Sequence, residues 1–73
     1  MIVNVLIEPG PPNWCASSAD DGLGGVVAAT GQSRDDVIRE FKSALAFHIE
    51  GLKLSGIELP VIDGLDVHEL VPV

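Results

Sequence analysis

The hydrophobic pattern of this chain changes its period within seven residues, GQSRDDV at positions 31–37. Before this segment, short β-branched and aliphatic runs alternate with Pro and Gly, a pattern typical of strands and turns. After it, apolar residues recur at helical spacing. Ser33 is a suitable N-cap, and Asp35 and Asp36 suit the positive end of a helix dipole. The segment therefore predicts that a helix begins after a run of strands.

The helix is predicted over residues 34–54, with Gly56 as its C-terminal cap. Six residues form one stripe at helical spacing: Val37, Phe41, Ala44, Leu45, His48 and Leu52. Charged side chains such as Arg39, Lys42 and Glu50 lie off this stripe. The helix is therefore amphipathic and is expected to pack one face on a sheet, with Phe41 and Leu45 as anchors.

Strands are predicted over residues 2–8, 13–19, 26–30 and 65–71. The short connections between the first three favour an antiparallel meander, and a helix before the last strand favours a parallel crossover. We therefore expect an α+β fold with the element order strand-strand-strand-helix-strand. Its four-stranded mixed sheet would have the order 3-2-1-4, with the helix on one face and the other face open.

Length and charge limit the functional classes. The 73 residues suffice for one domain, residues 1–73, with a small core. Eleven acidic and four basic residues give a net charge of −7, which disfavours nucleic-acid binding and favours a basic protein partner. No positively charged leader is present, and no apolar run approaches the ~18 residues of a membrane span. The expected location is the cytoplasm.

Residue types and spacing do not indicate catalysis. Two-metal nuclease chemistry needs several convergent carboxylates, whereas the middle of the first strand has Asn4, Val5 and Leu6, and Glu8 lies at the strand end. Cys15 is the only cysteine, which excludes an internal disulfide. We predict a non-enzymatic protein with no catalytic residue, no metal and no cofactor. Self-association is then the expected additional source of stability.

Several local patterns together resemble the HicB-like antitoxin family, which has a partial ribonuclease H fold. These are the apolar first strand (2–8), the aromatic at the start of the second (Trp14), the acid- and Gly-rich connector (20–25), the segment 31–37 and the Pro60 loop after the helix. Two features depart from the family. Residues 22–25 read Gly-Leu-Gly-Gly where a Pro often precedes the glycine, and no DNA-binding segment follows the last strand.

The resemblance implies an antitoxin that binds a small basic HicA-like ribonuclease toxin. Neutralisation would occur by occlusion, with the acidic domain covering the toxin's RNA-binding face and catalytic histidine. The candidate partner-binding residues are Trp14, Asp20, Asp21, Glu40 and Glu50. For Trp14, the role of an ordinary core residue is favoured over that of a binding anchor. DNA binding by this chain alone is not expected.

Self-association is expected as a homodimer or as a tetramer built from dimers, through the first and last strands. The candidate interface residues are Ile2, Leu6, Val67 and Leu70. Two alternative functions stay open. One is an orphan oligomeric interaction module without a toxin, and the other is a small-molecule-binding or degenerate hydrolase domain. A deep pocket lined by His48 and carboxylates would favour the latter.

Overall fold

The computed structural model describes residues 1–10, 13–18, 25–58 and 61–70. Within them lie the strands β1 (Ile2–Glu8), β2 (Trp14–Ser18), β3 (Ala28–Gly31) and β4 (Gly64–Glu69), and the helix α1 (Arg34–Leu54). The sheet order is β3-β2-β1-β4, and β1 pairs antiparallel with β2 and parallel with β4. The predicted α+β fold with a four-stranded mixed sheet and one helix is confirmed.

The core lies between α1 and one face of the sheet. Its buried side chains are Val3, Val5, Ile7, Ala16, Val27, Val37, Phe41 and Leu45. Alternate residues of β1 supply the largest share because side chains of a strand point in turn to opposite faces. On α1, the buried side chains of Val37, Phe41 and Leu45 are spaced by four residues, which aligns them along one face.

The first turn of α1 contacts the end of β3 at very short range. A Cβ atom added to Gly31 would lie 2.5 Å from the main-chain nitrogen of Val37 and 2.7 Å from its Cα. Only a residue without a side chain allows this approach. Beside it, the Ser33 hydroxyl accepts a hydrogen bond of 3.1 Å from the Asp36 amide and caps the helix. Gly31 and Ser33 therefore fix both the position and the start of α1.

The C-terminus of α1 closes with a Schellman motif. Gly56 has a φ of +81°, and its amide donates to the Lys53 carbonyl at 3.0 Å. The next amide, of Ile57, reaches back to the Leu52 carbonyl at 2.9 Å. This reversal satisfies the last helical carbonyls. The predicted cap at Gly56 is the residue that adopts the left-handed conformation.

The third strand begins later than predicted, at Ala28 instead of Val26. The Ser18 amide still donates to the Val27 carbonyl at 2.8 Å, but the Val27 amide donates to the Ser18 hydroxyl at 3.0 Å. A side chain thus replaces the main-chain acceptor, and the regular ladder ends there. Strand β2 is shorter than predicted by one residue at its start, and residue 19 lies outside the described residues.

The last strand also differs from the prediction, because β4 covers Gly64–Glu69 and not residues 65–71. The Leu70 amide continues the pairing with a 2.9 Å hydrogen bond to the Ile7 carbonyl. Residue 71 lies outside the described residues. At the opposite end of this pairing, the Asp63 amide donates to the Met1 carbonyl at 2.8 Å. Main-chain pairing between the first and last segments therefore extends beyond the strand bounds.

We predict that Phe41→Ala largely unfolds the isolated chain. Phe41 is fully buried, and truncation of a buried Phe lowers the free energy of unfolding by about 3–5 kcal/mol. A single core of this size supplies only about that much. Thermal melting followed by circular dichroism measures the effect, with the exposed Lys42→Ala as control. Melting of Phe41→Ala at the wild-type temperature would show that the helix face is assigned wrongly.

Two glycines should respond oppositely to alanine. Gly31→Ala is expected to lower the free energy of unfolding, because the new methyl group collides with the main chain of Val37. Gly51→Ala should raise it by up to about 1 kcal/mol, because Gly51 is helical and nothing lies within 4 Å of its added Cβ. Urea denaturation of both variants measures the difference. Equal midpoints would contradict the close approach at Gly31.

Candidate functional site

The face of the sheet opposite α1 is accessible and carries mixed chemistry. We call it the open face. Register and strand alternation place twelve described residues there: Ile2, Asn4, Leu6, Glu8, Cys15, Ser17, Ala28, Thr30, Gly64, Asp66, His68 and Leu70. It contains two carboxylates and no Lys or Arg. This surface is therefore partly apolar and, in formal charge, acidic.

A polar cluster interrupts the apolar part of the open face between β1 and β4. The His68 Nε2 lies 3.2 Å from the Asn4 Oδ1 and 3.3 Å from the Asp66 Oδ2. The three residues come together because Asn4 pairs with Asp66 and Leu6 pairs with His68 in the parallel register. His68 and Asp66 are both exposed. Donors and acceptors are thus available beside Leu6, which is half-buried.

Basic and acidic residues are segregated along the chain. All four basic residues lie in α1, together with four acidic ones, so the helix has no net formal charge. The other seven acidic residues lie outside α1 and account for the whole net charge of −7. Two of them, Glu8 and Asp66, lie on the open face. A positively charged partner is therefore attracted less to α1 than to the segments outside it.

The residues predicted to bind a partner do not converge on one surface. Trp14 lies on the helix side of the sheet, half-buried against the core. Glu40 and Glu50 are exposed on α1, ten residues or about 15 Å apart along its axis. They share that element with all of the basic residues. Asp20 and Asp21 lie outside the described residues.

The residues predicted to mediate self-association are also separated. Ile2 and Leu70 are exposed, by 53% and 46%, but lie at opposite ends of the β1–β4 pair. Val67 pairs with the buried Val5 and faces α1, where it packs against the core. Leu6 lies on the open face, next to the polar cluster. These four side chains therefore do not form one apolar patch.

The single helix leaves a groove on each of its flanks. The groove on the β4 side has a volume of about 470 Å³ and is lined mainly by aliphatic side chains such as Ile49 and Leu65. The groove on the β3 side has a volume of about 500 Å³ and lies beside Val26, Phe47 and His48. No carboxylate lines this second groove among the described residues. The combination that would favour a hydrolase site, His48 with carboxylates, is therefore not found there.

Sequence reasoning missed two features of this surface. The charge segregation is visible in the sequence once the helix bounds are known, because every Lys and Arg falls within residues 34–54. The second feature is Phe47, which is 82% exposed on α1 although it is one of only two phenylalanines. In the sequence, Phe47 falls outside the buried stripe of α1, and this position already indicates that its side chain is exposed. Apolar residues outside such a stripe indicate a second contact surface.

Within residues 1–10, 13–18, 25–58 and 61–70, no three His, Cys, Asp or Glu side chains are close enough to hold a metal ion. In the same part of the chain, no helix combines the length and apolar character of a bilayer span. Comparison of the chain with protein-family models, with curated proteins and with solved structures found no match.

We predict that the protein does not cleave RNA or RNA–DNA hybrids in the presence of Mg²⁺ or Mn²⁺. The middle of β1 presents Asn4, and Glu8 lies at the strand end without neighbouring carboxylates in its β4 or β2 register partners. Two-metal cleavage needs several convergent carboxylates. Gel assays with labelled substrates measure the activity. Metal-dependent turnover that disappears in Glu8→Gln would contradict the prediction.

Proposed function

We propose that this chain is a non-enzymatic, HicB-like antitoxin that neutralises a small basic ribonuclease of the HicA type by binding it. The observation that carries the proposal is the charge segregation. The helix has no net charge, whereas the strands and loops hold the whole charge of −7. The order strand-strand-strand-helix-strand and the segment 31–37 support the family resemblance.

The proposed mechanism is occlusion. An enzyme that binds RNA must present a positively charged surface to the phosphate backbone. The open face offers the opposite charge, with Glu8 at the end of β1, Asp66 on β4 opposite Asn4, and Leu6 on β1 between Asn4 and Glu8. Contact with this face covers the ribonuclease surface that RNA needs. Inhibition then requires no chemistry from the antitoxin, in keeping with the prediction that it has no catalytic residue.

Opposite charges also favour rapid encounter of the two proteins. Electrostatic steering raises association rates, and salt screens it over about 8–10 Å. Asp20 and Asp21 belong to the same acidic set by sequence and are proposed to contribute to this field. Glu40 and Glu50 are expected to contribute less, because Arg39, Lys42 and Lys53 on the same helix offset them.

Self-association is part of the proposal, as a homodimer or a tetramer built from dimers. A chain of 73 residues with one cysteine has a small core and no internal disulfide. Small scaffolds of this kind gain stability from oligomerisation. The orphan interaction module is the alternative that keeps this self-association but has no toxin partner. The small-molecule or hydrolase alternative has no specific observation in its favour.

The test is a growth assay with a small basic protein encoded next to this chain in its source genome, and the absence of such a neighbour would favour the orphan module. That protein alone should arrest growth and degrade mRNA, and co-expression of the chain should restore growth. The double variant Glu8→Lys, Asp66→Lys should fail to restore it. Its affinity for the ribonuclease should fall at least about 100-fold, because like charges then face each other.

The matched control is Glu40→Lys, Glu50→Lys, which makes the same change in net charge on α1. It should restore growth almost as well as the wild-type chain. Raising the salt concentration should weaken the wild-type complex. Equal loss of binding in both double variants would indicate a response to net charge alone. Full activity of the Glu8, Asp66 variant would contradict the proposed surface.

A further inference from the structure

The largest exposed apolar side chains of α1 form a continuous surface on one flank. Phe47 is 82% exposed, Leu54 86%, and Val26, just before β3, 78%. Phe47 and Val26 line the β3-side groove, Phe47 and Leu54 line a second depression of about 290 Å³, and Gly51 borders both. We name Val26, Phe47, Gly51 and Leu54 the Phe47 flank. In this surface, Phe47 forms a ridge, and a depression lies on each side of it.

We infer that the Phe47 flank binds a second copy of this chain through antiparallel packing of the two α1 helices. This inference rests on the proposed self-association and is independent of the proposed toxin partner. The distribution of charge indicates which surface of the chain a second copy can approach. Two copies that each carry −7 repel each other, and the open face, with two carboxylates and no Lys or Arg, adds to this repulsion. Along α1 the formal charges sum to zero, so repulsion between two copies is weaker there, with Glu50 as the acidic residue that lines the smaller depression.

The Phe47 flank is also complementary to itself. A two-fold axis reverses the direction of the second helix, so an axis midway between residues 47 and 51 places Phe47 against Gly51 of the second copy. Leu54 then lies against Ser43 and Ala44 of that copy. Each large side chain meets a small one, and each ridge enters a depression of the other copy. Pairing a large residue with a small one in this way permits close helix packing.

The proposed packing accounts for the presence of a glycine at position 51 within the helix. Glycine within a helix lowers its stability by about 1 kcal/mol relative to alanine. Nothing in the same chain requires its small size, since an added Cβ would have no atom within 4 Å. In contrast, the small size of Gly31 is required within the same chain, by the close approach of the Val37 main chain. In the paired helices, Gly51 provides the space that Phe47 of the second copy occupies.

The decisive variant is Gly51→Leu, which fills that space without disturbing the isolated subunit. Sedimentation equilibrium over a micromolar dilution series measures the mass. Wild-type protein should approach twice 7.6 kDa at the upper concentrations. Gly51→Leu and Phe47→Ser should each raise the dissociation constant at least about 30-fold, as expected for the centre of an interface. Gly51→Leu should remain folded by circular dichroism and melt at or above the temperature of the wild-type monomer.

Two matched controls locate the interface. Ala46→Leu adds the same side chain to the opposite flank of α1 and should leave the mass unchanged. Leu70→Lys changes the strand surface and should also leave that dimer intact. A wild-type mass of 7.6 kDa at every concentration, an unchanged dimer in Gly51→Leu, or dissociation in Leu70→Lys alone would overturn the inference. None of these results depends on whether the chain neutralises a ribonuclease.

Discussion

One helix covers a sheet that is wider than the helix itself. A helix with its side chains is about 10–12 Å wide, whereas four strands spaced by about 4.8 Å place the axes of the two outer strands about 14 Å apart. The core therefore forms beneath α1 alone, around Phe41 and alternate residues of β1. The same constraint leaves a groove on each side of the helix and an uncovered face on the other side of the sheet. All of the candidate functional surfaces are consequences of this incomplete cover.

The exposed surfaces have different electrostatic character. The helix combines balanced formal charges with apolar flanks, whereas the open face carries two carboxylates, Glu8 and Asp66, no Lys or Arg, and polar groups such as His68. A highly charged small protein can associate with itself only where self-repulsion is low. It attracts a basic partner where its own charge is concentrated. One 73-residue chain can therefore keep a surface for its own copies apart from a surface for another protein.

The position of α1 relative to the sheet sets where these two surfaces lie. Gly31 allows the first turn of α1 to lie directly on the end of β3, and the Ser33 cap fixes where the turn begins. At the other end, the Gly56 reversal directs the chain back toward β4. These contacts fix where α1 begins on the sheet and where it ends, and Phe47 lies on this helix. A binding surface on a rigid element loses less conformational entropy on association than one on a loop.

The sequence by itself determined the elements that depend on local chemistry. The period change at residues 31–37, the Ser33 cap and the Gly56 cap predicted α1 with its observed bounds, and the alternation in β1 predicted its buried face. Tertiary structure decided what depends on pairing between distant segments. The parallel register with β1 turned Val67 toward the helix and separated Ile2 from Leu70, and the Ser18 hydroxyl ended the β3 ladder. Hydrophobic period and capping are properties of neighbouring residues, whereas register and close approach arise only when segments far apart in sequence meet.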